Sequence, residues 1–322
     1  MNNAKTYIRI ALATLMLFLL YRSGFLQLEK IQSTLNNPTV IVSGFVIFIL
    51  QFLMFAARWK LVTSLIEKIS FPLALRLHLT GQFFNTFVPG GVGGDVVKAI
   101  ELSSAIHQPK KNTLALTLLD RVVGLYSLIL FSFIFLSIEV NNLSEANHKY
   151  LITSAALFVI AGLCILLRKP IRSLFYKVTQ NLKNGFIVNL RESLLFFFDY
   201  LDQLIATGKL KYFILISLFA QFLSIFFLYI VVNSLVDVPP PYILFFPLAC
   251  FAFMAMAIPI TPGGIGLGQA AFFFIFKSFG DPTAEAAIVG ISLLQLFYIL
   301  LSLPGGYYFI KSPHKKDPVH NN

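Results

Sequence analysis

Pro89-Gly90-Gly91-Val92-Gly93-Gly94-Asp95 and Pro262-Gly263-Gly264-Ile265-Gly266-Leu267-Gly268-Gln269 say nearly the same thing twice, each inside strongly apolar sequence. Glycine and proline break the helical hydrogen-bond ladder and leave backbone groups bare. Lipid cannot satisfy those groups, so such a stretch belongs where it is buried in protein or lines a wet cavity. A matched pair of these interruptions in the two halves of a membrane protein points to a transport site at their meeting place.

The rest of the chain fits a membrane setting. Apolar residues make up 57% and charged residues 12%, and mean hydropathy is +0.79; a water-soluble domain does not have this composition. Long apolar stretches fall at residues 7–20, 40–57, 113–138, 151–167, 212–236, 242–258 and 286–310. Tyr21-Arg22 follows the first without a small-residue cleavage site, so an uncleaved span is expected there rather than a signal peptide. Cys164 and Cys250 lie inside apolar segments, where a disulfide is not expected.

The net charge is +11, but the cations flank spans and form no stripe among exposed aromatics, so no nucleic-acid partner is expected. A cytoplasmic N-terminus puts all but Arg22, Lys30, Lys149, Lys277 and the intraspan Arg121 on the cytoplasmic side. That bias sets the orientation, with both termini inside. It holds only if the glycine stretches are not ordinary crossings. The piece from Leu77 to Pro89 is too short to cross, because a spanning helix needs about 20 residues. Residues 77–98 therefore read as a re-entrant hairpin from the cytoplasm. Three full spans later, residues 242–277 read as a second hairpin from the outside.

The expected fold is an all-α polytopic membrane protein of about six full spans plus two opposed re-entrant helical hairpins in an inverted repeat. Residues 1–322 form one integral membrane domain. Its first half is 1–138, its second 212–310, and 168–211 is a cytoplasmic amphipathic connector. In the connector Ile171, Leu174, Phe175, Val178 and Leu182 recur at helical spacing, as do Leu190, Leu194, Phe197, Phe198, Leu201 and Ile205. Two placements are open for it: on the leaflet surface with its basic residues towards anionic headgroups, or packed on the bundle. The tail from Lys311 is short and polar, so no soluble catalytic domain is expected.

Charges inside spans are expensive and therefore candidates for function. Asp95, Lys98 and Glu101 follow the first glycine stretch. Asp95 stands where a helix N-cap belongs; its other reading is a contact with a cationic substrate group or a coupling ion. In the second copy Gly268 takes the place of Asp95 and Gln269 follows, a helix start with bare amides suited to a lipid phosphate. Asp120 and Arg121 are adjacent and face different ways. Arg121 has the planar fork that grips phosphate; the plainer account pairs it with Asp95 or Glu101. Asn85 and Gln82 precede the first turn and could line a cavity, while Arg58-Trp59-Lys60 reads as an interfacial anchor. The glycine turns themselves, Gly90, Gly91, Gly93, Gly94, Pro262, Gly263, Gly264 and Gly266, complete the candidate substrate site. His78, His107, His148, His314 and His320 lack zinc spacing, and no nucleotide or hydrolase motif occurs, so no cofactor, metal or catalytic group is assigned.

With these residues in view, the chain resembles the flippase-like membrane domain of the lysylphosphatidylglycerol synthase superfamily, which also occurs as stand-alone membrane proteins. The resemblance rests on Gly81-Gln82-Phe83-Phe84-Asn85-Thr86-Phe87-Val88-Pro89-Gly90-Gly91-Val92-Gly93-Gly94-Asp95-Val96-Val97-Lys98-Ala99, on Leu118-Leu119-Asp120-Arg121-Val122-Val123-Gly124-Leu125, and on the stretch from Pro259 to Phe272. It implies a unit of the bacterial cytoplasmic membrane that moves a polar lipid, aminoacylated or glycosylated, between leaflets. The partners it implies are a phospholipid or lipid-linked substrate, the bilayer, and a second copy or a lipid-synthesis enzyme. A membrane transferase acting on lipid-linked substrates and a scaffold for such an enzyme are the rival readings. Gln269 stands where an acid is expected in relatives, so an acid-dependent role is not carried over.

Overall fold

The computed structural model describes residues 28–87, 93–138, 140–143, 145–182, 185–258, 261–278 and 283–311. Among these residues there are twelve α-helices and no strand. Helix α1 is Leu28–Leu35, α2 Pro38–Thr63, α3 Phe71–Phe87, α4 Gly93–Ile106, α5 Lys110–Ile138 and α6 Glu145–Leu166. Then come α7 Arg168–Thr179, α8 Gly185–Ala206, α9 Lys209–Asn233, α10 Tyr242–Met256, α11 Leu267–Ser278 and α12 Ala284–Lys311.

Among the described residues, five helices are long and apolar enough to cross a membrane: Pro38–Thr63, Lys110–Ile138, His148–Leu166, Lys209–Asn233 and Ala284–Lys311. The 26 residues of α2 extend about 39 Å at about 1.5 Å per residue, more than the ~30 Å hydrocarbon thickness. These five coincide with five of the expected six spans; the first, at residues 7–20, lies outside the described residues, as do Gly90 and Gly91. Local chemistry sets the helix ends. Asn37 caps α2 by accepting from the Thr39 amide at 3.0 Å, with Pro38 at the first helical position. Outward-facing Val42, Val46, Ile152 and Ile160 are all more than half exposed, an apolar belt with no water-soluble rationale.

Helices α3 and α4 form one hairpin, α10 and α11 another. They open at opposite ends of α5. Leu77 of α3 and Leu102 of α4 pack with Ala115, Leu116 and Leu119 near the start of α5. Phe246 of α10 stacks on Phe131 and Phe135 near its end. The two hairpins touch: Gly263 lies against Thr86, near the end of α3, with a Cβ at residue 263 only 3.5 Å from the Thr86 Cα. The first hairpin is tight because of Gly94. A Cβ there would overlap the Gly81 carbonyl oxygen and sit 2.6 Å from Asn85 Cγ. The second hairpin turns through Gly263, Gly264 and Gly266, with φ of 56°, 70° and 87°, which L side chains adopt only under strain.

Two hydrophobic cores result. One gathers Trp59, Val62, Leu77, Leu116 and Leu119; the other gathers Phe48, Phe131, Phe227, Leu228 and Phe297. Between them α2, α5 and α9 carry polar residues: Gln51 and Arg58 on α2, Asp120 and Arg121 on α5, Ser217 and Gln221 on α9. The connector splits in its behaviour. On α8, Phe197, Tyr200, Leu201 and Leu204 bury themselves in the first core. Glu192 pairs with Lys111 at 2.7 Å, and that ammonium holds its carboxyl below the usual carboxylate range. Ion pairs Arg168–Asp202 and Arg172–Asp199 hold α7 to α8, yet Leu174 and Val178 of α7 stay 64% and 67% exposed.

Candidate functional site

The polar layer between the cores contains a knot of charge. Asp120 is its centre. Its carboxylate lies 2.9 Å from Arg58 Nε, accepts from Arg58 Nη2 at 2.9 Å and lies 3.5 Å from Lys98 Nζ. Arg58 Nη1 also donates to Ser217 Oγ at 3.1 Å, and the guanidinium sits 4.9 Å from the Phe55 ring centre. Lys98 lies 3.7 Å over the Trp59 ring. His78 stands beside, its ring 5.3 Å from that of Phe52. One helical step on, Arg121 pairs with Asp95. Adjacent Asp120 and Arg121 thus take different partners, as their different faces require.

Each glycine turn is closed by a side-chain amide. Asn85 Oδ1 accepts from the Gly94 amide at 3.0 Å. Gln269 Oε1 accepts from the Gly266 amide at 2.8 Å, while Gln269 Nε2 donates to Gln295 Oε1 at 2.8 Å and Ser292 Oγ at 3.1 Å. Gln295 Nε2 in turn donates to the Gly263 carbonyl at 3.4 Å.

Two cavities occupy the layer. The smaller, about 210 Å³, is lined by Arg58, His78, Asp95, Lys98, Asp120 and Arg121 among others. The larger, about 330 Å³, is mostly apolar, with Leu128, Phe253, Ile265 and Leu294 in its wall and Thr261, Gly263, Gln295 and Tyr298 as its polar side. Phe55, Gln82, Asn85 and Arg121 line both. A charged compartment thus shares a wall with an oily one.

Several expectations change at this point. Asp95 is not the cap of α4; the helix begins at Gly93, the Gly94 amide is taken by Asn85, and the carboxylate pairs with Arg121, the plainer account given for that arginine. Just before the second helix start, Gln269 takes up the Gly266 amide, one residue ahead of α11 at Leu267. Arg58 and Trp59 are not an interfacial anchor: Trp59 is fully buried and Arg58 is 9% exposed. The structure brings Asn85, Asp95, Lys98, Asp120 and Arg121 to one cavity, and Gly263, Gly264 and Gln295 to its neighbour. Gly93 opens α4 and Pro262 begins the short turn Pro262–Gly264. Arg58, His78, Ser217 and Gln295 are participants that sequence reasoning did not single out. The apolar run ending at residue 57 hid Arg58; in the structure α2 runs on to Thr63, which makes residue 58 an internal arginine.

Long apolar helices around a buried, charged and two-part chamber define an integral membrane protein. The chain belongs to the family described as lysylphosphatidylglycerol synthase TM region, whose model matches residues 7–305. It is similar to a UPF0104 membrane protein of Methanocaldococcus jannaschii, at 23% identity over 90% of both chains. It is also similar to a UPF0104 membrane protein of Methanothermobacter thermautotrophicus, at 21% identity over 94% of this chain and 92% of the relative.

Proposed function

We propose that the protein moves a polar lipid between the leaflets of the cytoplasmic membrane. The observation that carries this reading is the shared wall. A lipid is a charged group joined to apolar tails, and here a compartment of five charged side chains adjoins a mostly apolar one across Phe55, Gln82, Asn85 and Arg121. In this account the hairpins are re-entrant, α3–α4 from the cytoplasmic face and α10–α11 from the other, forming an inverted repeat. Their opening at opposite ends of α5 and the contact between Thr86 and Gly263 support that arrangement. Both termini are cytoplasmic by the distribution of lysine and arginine.

The test is reconstitution of the full chain in vesicles holding fluorescent phosphatidylglycerol in both leaflets, with an impermeant quencher added outside. Wild-type protein should give quenching of the inner-leaflet pool far faster than protein-free vesicles. The double variant Asp95→Asn with Arg121→Gln keeps a polar contact between α4 and α5 but removes both charges, and should slow that phase at least tenfold. Quenching no faster than in empty vesicles, across phospholipids of every headgroup charge, would end the transport reading.

A further inference from the structure

The charge balance of the smaller cavity bears on which lipid it accepts. Arg58, Lys98 and Arg121 face it with Asp95 and Asp120, a surplus of one cation. Arg76 and Glu101, on the same two hairpin helices, do not line it and are of opposite sign. The surplus lies between two apolar cores, where charge interactions are poorly screened.

The hydrogen-bonding valence points the same way. Both carboxylates are engaged, Asp120 by Arg58 and Lys98 and Asp95 by Arg121. An incoming ammonium would find no free acid. Donors, in contrast, remain. Lys98 is 4% exposed, and one ion pair at 3.5 Å plus one ring contact do not use the three N–H groups of its ammonium. Asn85 commits its oxygen to Gly94, which leaves its NH2 end for the cavity.

We infer that the chamber takes a lipid phosphate headgroup without a compensating amine, with Lys98 as a direct phosphate ligand, and that it disfavours aminoacylated, cationic headgroups. This rests on the transport reading and narrows its cargo. Acceptor oxygens of the phosphate complete the Lys98 shell and its charge cancels the surplus; an aminoacylated headgroup brings the same oxygens, but its ammonium groups add to the surplus and find no free carboxylate.

The test uses the purified full chain, delipidated in detergent, with native mass spectrometry counting bound lipid. The probes are phosphatidylglycerol, phosphatidic acid, phosphatidylethanolamine and lysylphosphatidylglycerol with identical acyl chains. Phosphatidylglycerol and phosphatidic acid should bind at least tenfold tighter than lysylphosphatidylglycerol. Lys98→Met should erase that preference and Lys98→Arg restore it; the wild-type comparison stands without either variant. Inorganic phosphate at thousandfold excess should not displace phosphatidylglycerol, and displacement near the lipid's own Kd would overturn a lipid source. Equal or tighter binding of lysylphosphatidylglycerol would overturn the inference while leaving transport intact. Failure of transport shows itself separately, in the vesicle assay.

Discussion

Asp120→Asn isolates the electrostatics of the chamber, because one carboxylate serves two buried cations. Side-chain exposure is 10% for Arg58 and 12% for Asp120, and 6% for Lys98, so water does little of the screening. At an effective dielectric of 20, a pair at the 2.9 Å separation seen here attracts by about 6 kcal/mol and one at 3.5 Å by about 5. Desolvation of all three groups offsets most of this. Removing the carboxylate loses the attraction but not the desolvation, and leaves two like charges together. Breaking a buried pair in this way costs about 3–5 kcal/mol. At roughly 2–4 °C per kcal/mol, the apparent Tm should fall by roughly 10 °C. The assay is thermal unfolding in detergent, followed by size-exclusion elution of heated samples. A second variant sharpens it: Asp120→Asn with Lys98→Met removes one of the stranded cations and should be more stable than Asp120→Asn alone, a non-additivity that only direct coupling explains. A Tm within 2 °C of wild type for the single variant, or a double variant less stable still, would refute the reasoning.

Gly94→Ala should lower stability by about 1–3 kcal/mol through overpacking, since its Cβ overlaps the Gly81 carbonyl oxygen; vesicle translocation should fall with it as α3 and α4 part. Gly162→Ala is the matching control, for a Cβ there meets nothing within 4 Å, and unfolding should be unchanged or slightly delayed. Gly264→Ala adds a side chain at φ of 70° and 2.6 Å from Met256 Cγ; a Tm decrease without loss of membrane insertion is expected in the same elution assay.

Much of this fold is written in its hydropathy. The five described spans stand where long apolar runs predict them, because a helix satisfies every backbone group within one segment, as lipid requires of any structure but a closed barrel. The hairpins announce themselves through glycine. What the pattern does not encode is pairing across distance. Arg58 meets Asp120 across 62 positions and Ser217 across 159, and no local periodicity links them. Arg58 was masked further by the expected span end at residue 57, six residues short of the helix that forms. The polar residues Asn85 and Gln269 were visible, but their closure of the glycine turns depends on chain geometry at Gly94 and Gly266. The connector teaches a related lesson. An amphipathic stripe records that a face wants apolar company, without naming it: Leu201 and Leu204 of α8 find protein, while Leu174 and Val178 of α7 do not. The anchor reading of Trp59 failed for the same reason, since Lys98 of the first hairpin stacks on it.

The sidedness of the hairpins tests the account most directly. Ser70, just before α3, and Ser278, at the end of α11, are both exposed and belong to the open ends of the two hairpins. With Cys164 and Cys250 replaced by serine, single cysteines at these positions are challenged with a membrane-impermeant thiol reagent in oriented vesicles. The opposed arrangement predicts labelling of Ser70→Cys from the cytoplasmic face only and of Ser278→Cys from the other face only. Labelling of both from one face would contradict it, and with it the passage of a lipid headgroup between the hairpin tips.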